Sequence, residues 1–340
     1  MKKIYHVGKN LANVPYSICS ALRDSGIPVE LYIGAVRNIA EEPPSRESWV
    51  HMSHKYTIGN RFQDLIEVSK ADYLQTYAGS STYLQFMAKP FIIYATGSDV
   101  HELPYQKTIG GMLMKRSLGK ALKVLFSNVH LLEDLKAHRV GGKSVFVPQP
   151  VKIWEYGKTR GGFGHERPIF LCPSRIDFSV KGQDIFLKAF SDYKSGGGSG
   201  TAVLFDWGPD AEHAKSIWGN SPGVIFLPTC PRKDLLGLYA GSDVVVDQFK
   251  LGALGLVSLE GMASGKPVMV YANRTFHKIT YGENPPVLNV KNEGEILSAL
   301  KSVGANADLG KEAKAWVEKY HNPKKVGAAI KAVYEEASWL

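Results

Sequence analysis

The chain has 340 residues, enough for two ordinary domains and too long for one small one. With 44% hydrophobic and 21% charged residues it has the composition of a globular protein, which excludes a disordered chain. No apolar run approaches the roughly 18 residues that span a bilayer. Three cysteines, Cys19, Cys172 and Cys230, are odd in number and far apart, so neither a disulfide framework nor a zinc site is supported. His51 and His54 could share a helix face but lack a third ligand. The N-terminal "MKKIYHVGKN" has no apolar stretch of signal-peptide length behind its lysines, so a cytoplasmic location is expected. The net charge is +9, and residues 1–150 carry 18 Lys and Arg against 12 Asp and Glu. A basic first half suits nucleic acid, anionic lipid or a phosphorylated substrate, and sign alone does not choose among them.

Apolar runs and helical patterns alternate along the chain. Residues 3–8, 29–35, 71–77, 91–97, 123–128 and 144–150 read as strands, mostly separated by helices, such as 14–26 with Ile18 and Leu22 in register. The stretch 156–168, "YGKTRGGFGHERP", has linker composition. The pattern restarts with strands over 169–175, 201–209, 223–228, 242–249 and 266–272. Asn322-Pro323 breaks the helical pattern before a last helix. This predicts an α/β protein of two doubly wound, Rossmann-like parallel-sheet domains facing a cleft. The expected boundaries are 1–155, 156–321, and a terminal helix over 322–340 that packs back on the first domain.

Chemistry concentrates in the second half. The strand over 169–172 delivers Arg175 to its carboxyl end, and Lys181 precedes the next helix. Two fixed cations on one rim suit a diphosphate. Equally, each cation could pair with Asp177 or Asp184. Residues 247–268, "DQFKLGALGLVSLEGMASGKPV", pass from a strand end through a glycine loop into a helix. Free amides and the helix dipole favour an anion there, and Gly252 and Gly255 permit close backbone approach. Glu260, one turn inside, is placed to accept two hydrogen bonds from a ribose diol, or to pair with a lysine such as Lys266.

The segments "PSRIDFSVKG", "DWGPD", "VIFLPTCPRKDLLGLYAGSDVVV" and "GLVSLEGMASGKPV", in this order and separation, resemble the donor domain of family-4 glycosyltransferases of the GT-B fold. "YATGSDVHE" and "VLFSNVHLLEDLKAHRVGGKSVFVPQPV" resemble its first domain, so the likeness runs over nearly the whole chain. It implies a retaining hexosyltransferase that takes a sugar from a nucleoside diphosphate to a glycan, lipid or small-molecule hydroxyl, without a metal or other cofactor. The other reading is a non-catalytic relative that binds a nucleotide sugar or glycan. By resemblance, Arg175 and Lys181 bind the diphosphate and Glu260 the ribose. The amides of Gly252, Ala253, Leu254, Gly255 and Leu256 contact phosphate or sugar, and the base lies near Pro228 and Asp206. Gly8 would approach the donor closely. Asn10, Asn13, Tyr16 and His101 are the reachable polar groups on the acceptor side.

Two departures stand out. The family's first of two glutamates falls at Gly252, so the expectation passes to Asp247 or Gln248 for the donor-sugar hydroxyls. Thr96 stands where many relatives have histidine, which leaves Asp99 to orient the acceptor or handle its proton, or only to cap the next helix. The stretch 105–124 interleaves Lys107, Lys115, Arg116, Lys120 and Lys123 with apolar residues, and no acid occurs from Leu103 through Leu132. It reads either as a helix with an apolar core face or as one lying on an anionic membrane, which would place the chain at the inner membrane surface. Nucleic acid fits poorly, because aromatics are not interleaved with the basic residues.

Overall fold

The computed structural model describes residues 2–34, 42–53, 58–156, 163–302 and 308–340. His54 and residues 157–162 of the glycine-rich stretch lie outside the described residues. The chain divides into two compact units, one of Met1–Pro150 with His321–Leu340 and one of Val151–Tyr320.

Unit 1 holds strands β1 (Ile4–Gly8), β2 (Val29–Ile33), β3 (Val50–Met52), β4 (Tyr73–Tyr77), β5 (Phe91–Ala95), β6 (Val124–Phe126) and β7 (Ser144–Phe146). Its helices before the crossing are α1 (Val14–Asp24), α2 (Ile58–Ser69), α3 (Ser81–Leu84), α4 (Ser98–His101), α5 (Ile109–Lys120) and α6 (Leu131–Ala137). The strands form one parallel sheet in the order β3-β2-β1-β4-β5-β6-β7, with Ile4 beside both Val29 and Tyr73. Every residue of β1 and β5 is buried, as a parallel strand covered on both faces requires. Alternate side chains feed two cores. Ile4, Ile92 and Tyr94 pack with Ile18 and Leu22 of α1, while Val7, Leu74 and Ile93 pack with Met114 and Leu118 of α5.

Unit 2 repeats the plan with β8 (Ile169–Cys172), β9 (Thr201–Phe205), β10 (Val224–Leu227), β11 (Val244–Val246), β12 (Val268–Val270) and β13 (Leu288–Asn289). They run parallel in the order β10-β9-β8-β11-β12-β13. The helices are α7 (Gln183–Ser195), α8 (Ala211–Trp218), α9 (Arg232–Gly241), α10 (Leu256–Ala263), α11 (Arg274–Tyr281), α12 (Glu293–Lys301) and α13 (Leu309–His321). Phe170, Phe186, Phe190 and Phe249 are fully or almost fully buried in its core.

The chain then returns. Asn322 caps α14 (Pro323–Glu336), its side-chain oxygen accepting from the Lys324 amide at 3.0 Å. Val326, Ile330 and Tyr334 of α14 enter the same core as Ile18 and Leu22. A closed polar cluster ties this helix to the sheet. The Tyr334 hydroxyl donates to Gln75 Oε1 at 2.7 Å and lies 3.0 Å from His6 Nε2. His6 Nδ1 lies 2.7 Å from the Tyr77 hydroxyl, which accepts from Gln75 Nε2 at 2.6 Å. Burial pushes the His6 imidazole down to about 3, so it is neutral and its partners need supply no charge.

Candidate functional site

In an open parallel sheet, ligands bind beyond the carboxyl ends of the strands where the strand order reverses. In unit 2 that point lies between β8 and β11, neighbours with Val244 opposite Phe170. The loops that leave these two strands carry Arg175 and Lys181 on one side, and Asp247, Gln248 and the glycine loop on the other.

The loop after β8 is fixed from within. Gln183, fully buried at the start of α7, accepts from the Asp177 amide at 3.1 Å. Its Nε2 donates to Arg175 O at 2.7 Å and to Ser174 Oγ at 3.2 Å. The Asp177 carboxylate accepts from the Val180 amide at 3.0 Å and pairs with the half-exposed Arg175 guanidinium at 3.0 Å. Lys181 Nζ turns the other way, to Asp247 Oδ1 at 3.3 Å and Gln248 Oε1 at 3.4 Å. Of the two ion pairs the sequence allowed, Arg175 with Asp177 is made, and Lys181 pairs with Asp247 rather than Asp184.

Asp247 is 0% exposed. Its Oδ2 accepts from the Ser258 hydroxyl at 2.7 Å and the Ser258 amide at 3.2 Å, which caps the first turn of α10 from beneath. Gln248 is buried too, and its Nε2 donates to Ala253 O at 2.6 Å. Both residues are expected to serve the donor-sugar hydroxyls, and in this structure both are engaged with the protein. Their contacts are with Lys181, with Ala253 of the glycine loop and with Ser258 of α10.

The glycines have separate reasons. Gly252 has φ +68, and a Cβ there would lie 3.0 Å from both Asn273 Cβ and Tyr271 Cε1. Gly255 has no positive φ, but a Cβ would come within 2.6 Å of Asp247 Oδ2, so it makes room for the buried carboxylate. Beyond it, the N–H groups of Leu256 and Val257 have no hydrogen-bond partner among the described residues, while those of Ser258 and Leu259 are taken. Two free amides, a helix N-terminus and Lys181 thus meet at one strand end. Position 252, with its positive φ, is strained for any side chain. Gly252→Glu is expected to destabilise unit 2 by about 1–2 kcal/mol for the left-handed backbone. Crowding against Tyr271 and Asn273 adds about 1–3 kcal/mol. Urea unfolding measures the sum, and an unchanged midpoint would refute the account.

Glu260 is 3% exposed, and Lys266 is not its partner, since Lys266 Nζ donates to Ala240 O. Arg232, which opens α9, donates to Glu260 Oε1 at 2.5 Å, and the Tyr239 hydroxyl donates to Oε2 at 2.9 Å. The second Arg232 nitrogen donates to the Tyr156 hydroxyl at 2.7 Å. The Glu260 charge raises Arg232 above its ordinary value, and burial, reinforced by Glu260, raises both tyrosines. Sequence reading missed Arg232, whose signal was a lone Arg one helix turn before an apolar run containing Tyr239.

Asp206 follows β9 directly; its amide donates to Leu227 O at 2.7 Å and its carboxylate pairs with Lys215 at 2.9 Å. Pro228 is exposed just past β10. The neighbouring turn is clamped onto the Arg175 loop, with Ile176 donating to Trp207 O at 2.8 Å and a Cβ on Gly208 falling 2.3 Å from Ile176 O.

In unit 1 the order reverses between β1 and β4, and a cavity of about 230 Å³ opens there, lined by Lys9, Gly79, Ser98, Asp99, Glu102 and Gln106 among others. Gly8 ends β1 with φ +155, where a Cβ would meet Tyr77 O at 2.6 Å. Asp99 is 4% exposed; its carboxylate accepts from the amides of Thr96 at 3.0 Å and Gly97 at 2.8 Å. Burial raises its pKa against those hydrogen bonds. It lies within α4, whose N-cap position is Gly97, and reaches back to these two amides ahead of the helix; it lines the cavity as well. Asn10 is fully buried, accepting from the Tyr16 amide and donating to Asn13 Oδ1 at 2.6 Å. The Tyr16 hydroxyl meets Ser45 Oγ at 2.6 Å. These groups brace the loop after β1, and His101 points to Asp134 at 2.7 Å. His51, considered earlier as a metal ligand, pairs with Glu30 at 2.6 Å. Among the described residues no group of three His, Cys, Asp or Glu could hold a metal ion.

Residues 167–306 match the family model described as "Glycosyl transferases group 1". No protein of curated function is a significant sequence match. Solved structures share the fold over nearly the full chain at low identity. Sucrose-phosphate synthase from Thermosynechococcus elongatus is 14% identical with a TM-score of 0.73, covering 99% of each chain. HepE of Anabaena, solved in complex with UDP and glucose, is 14% identical with a TM-score of 0.71, covering 99% of this chain and 100% of its own. WaaG, a glycosyltransferase involved in lipopolysaccharide biosynthesis, is 13% identical with a TM-score of 0.65, covering 96% and 99%. The fold is thus GT-B, two doubly wound parallel-sheet domains.

Proposed function

We propose that the chain is a glycosyltransferase that moves a hexosyl group from a nucleoside-diphosphate sugar to an acceptor hydroxyl, with retention and without a metal. The observation that carries this reading is Lys181, held by buried Asp247 beside the free amides of Leu256 and Val257 at the strand-order reversal of the second sheet. The family match over that segment, and the resemblance of its motifs to retaining enzymes, support it.

Each group has a task in the reaction. The bond from the anomeric carbon to the β-phosphate oxygen breaks and its electron pair leaves with the diphosphate. The acceptor oxygen bonds to the same carbon, and its proton passes to the departing phosphate oxygen. Negative charge grows on the diphosphate, where Lys181, Arg175 and the α10 amides are fixed beforehand. These cations and dipoles do the neutralising that a divalent ion would otherwise do. Glu260 accepts from the ribose diol. A carboxylate has about four lone-pair positions, and Arg232 and Tyr239 use two. The polar cavity beside Asp99 receives the acceptor.

Two measurements test this. Thermal melting with a panel of nucleoside diphosphates should show one that raises the melting temperature, since a ligand at about a hundred times its Kd adds about 2.7 kcal/mol. Nucleotide release from the matching sugar donors, with and without hydroxyl acceptors, should then show turnover. A melting shift without turnover for any acceptor would support the non-catalytic reading, which Gly252 alone favours. No shift with any nucleotide would sink both.

A further inference from the structure

We propose that the face of unit 1 formed by α3, the turn after it and α5 docks on an anionic lipid bilayer. The sequence left two readings of α5, and the structure shows where its apolar residues go. The core takes Gly111, Met114, Ser117 and Leu118. Ile109 and Met112 point outward, 72% and 63% exposed. Phe86, just past α3, is 59% exposed, and the Arg116 guanidinium lies over its ring at 5.6 Å. Tyr83, one turn before Phe86, is about half exposed. Large apolar side chains from two elements thus share one water-facing surface.

The segments that form that surface carry one sign of charge. No Asp or Glu occurs in residues 73–98 or 103–132. Lys107, Lys115, Arg116 and Lys120 are exposed, and no ion pair among the described residues involves them. Met112 stands one helical turn from both Lys115 and Arg116, so cation and apolar side chain reach the same plane. Such a face lies flat in the headgroup layer, apolar side chains entering the acyl boundary and cations meeting lipid phosphates. An acidic protein partner would satisfy the cations but leaves Ile109 and Met112 without a matching groove. The helix is seated closely on the preceding turn, where a Cβ on Gly111 would fall 2.3 Å from Gln106 O. Leu103 and Gln106, which pack on Gly111 of α5, also line the cavity beside Asp99, so one helix adjoins both the docking face and the cavity.

Cosedimentation of the full chain with phosphatidylglycerol–phosphatidylcholine vesicles tests this without reading turnover. The protein should pellet with these vesicles at low salt, not with phosphatidylcholine alone, and should be released as salt rises. Ile109→Ser with Met112→Ser should weaken partitioning about tenfold or more through lost apolar insertion. Lys115→Gln with Arg116→Gln should do so through lost charge. Both pairs alter exposed side chains, and their melting temperatures should equal the parent's. Absence of pelleting at low salt overturns the proposal. So does equal capture by neutral vesicles, or parent-like binding by both variants. Binding to an acidic protein with no vesicle binding would assign the face to that partner and overturn it as well.

Discussion

Lys181→Ala should lower kcat/KM for the donor by about a hundred- to a thousandfold, the usual cost of removing one preorganised charge-stabilising group. It should also weaken binding of the free nucleoside diphosphate, because the ammonium meets the diphosphate before and after transfer. A second effect accompanies these. Asp247 is fully buried and pairs with Lys181 at 3.3 Å. Removing the lysine leaves that carboxylate with the two Ser258 hydrogen bonds but no cation, and breaking a buried pair in this way costs about 3–5 kcal/mol. The retained Ser258 contacts place Asp247 at the low end of that range. The two effects separate in the double variant Lys181→Met with Asp247→Asn. Neutralising both partners should restore most of the stability, while turnover stays low. Donor turnover measured well below each melting temperature decides the matter. Parent-like turnover in Lys181→Ala would remove the lysine from the reaction and the proposed function would lose its main support.

The same geometry shows what a sequence can and cannot convey about such a site. The strands of both sheets were legible because parallel strands buried on both faces read as continuous apolar runs, as in "FIIYA" and "VVV". β3 and β13 were not, since each is an edge strand of two or three partly exposed residues with no apolar run to mark it. The site's loops were legible as glycines and cations after strand ends. Roles within them were not, because they depend on which side chain lies above which. Asp247 and Gln248 follow an apolar strand, and nothing in the local pattern shows that they bond Lys181, Ala253 and Ser258. Gly252 reads in sequence only as a glycine, and the left-handed φ and the nearness of Tyr271 and Asn273 show that a side chain there would be strained and crowded. In each case long-range packing, not local pattern, assigns the residue its role.

Arg232 is the residue with the most to reveal about Glu260. Arg232→Leu should destabilise the protein by about 3–5 kcal/mol, since it strands a carboxylate that is 3% exposed. Of the two donors that hold Glu260, only the Tyr239 hydroxyl would remain, and Tyr156 would lose the donor to its own hydroxyl. Glu260→Leu added to Arg232→Leu should recover much of that stability, because an apolar pair of similar volume replaces an ion pair at little cost. Function should not recover with it. If Glu260 accepts from the ribose diol, the double variant will be as stable as a well-packed core allows and will still bind the nucleoside diphosphate at least about tenfold more weakly, the scale of one lost charge-assisted hydrogen bond. Chemical denaturation and nucleotide titration on the two variants read the two quantities independently. Recovery of both together would make the Arg232–Glu260 pair a purely structural clamp. Recovery of stability alone would identify Arg232 as the group that aims the carboxylate at the ribose.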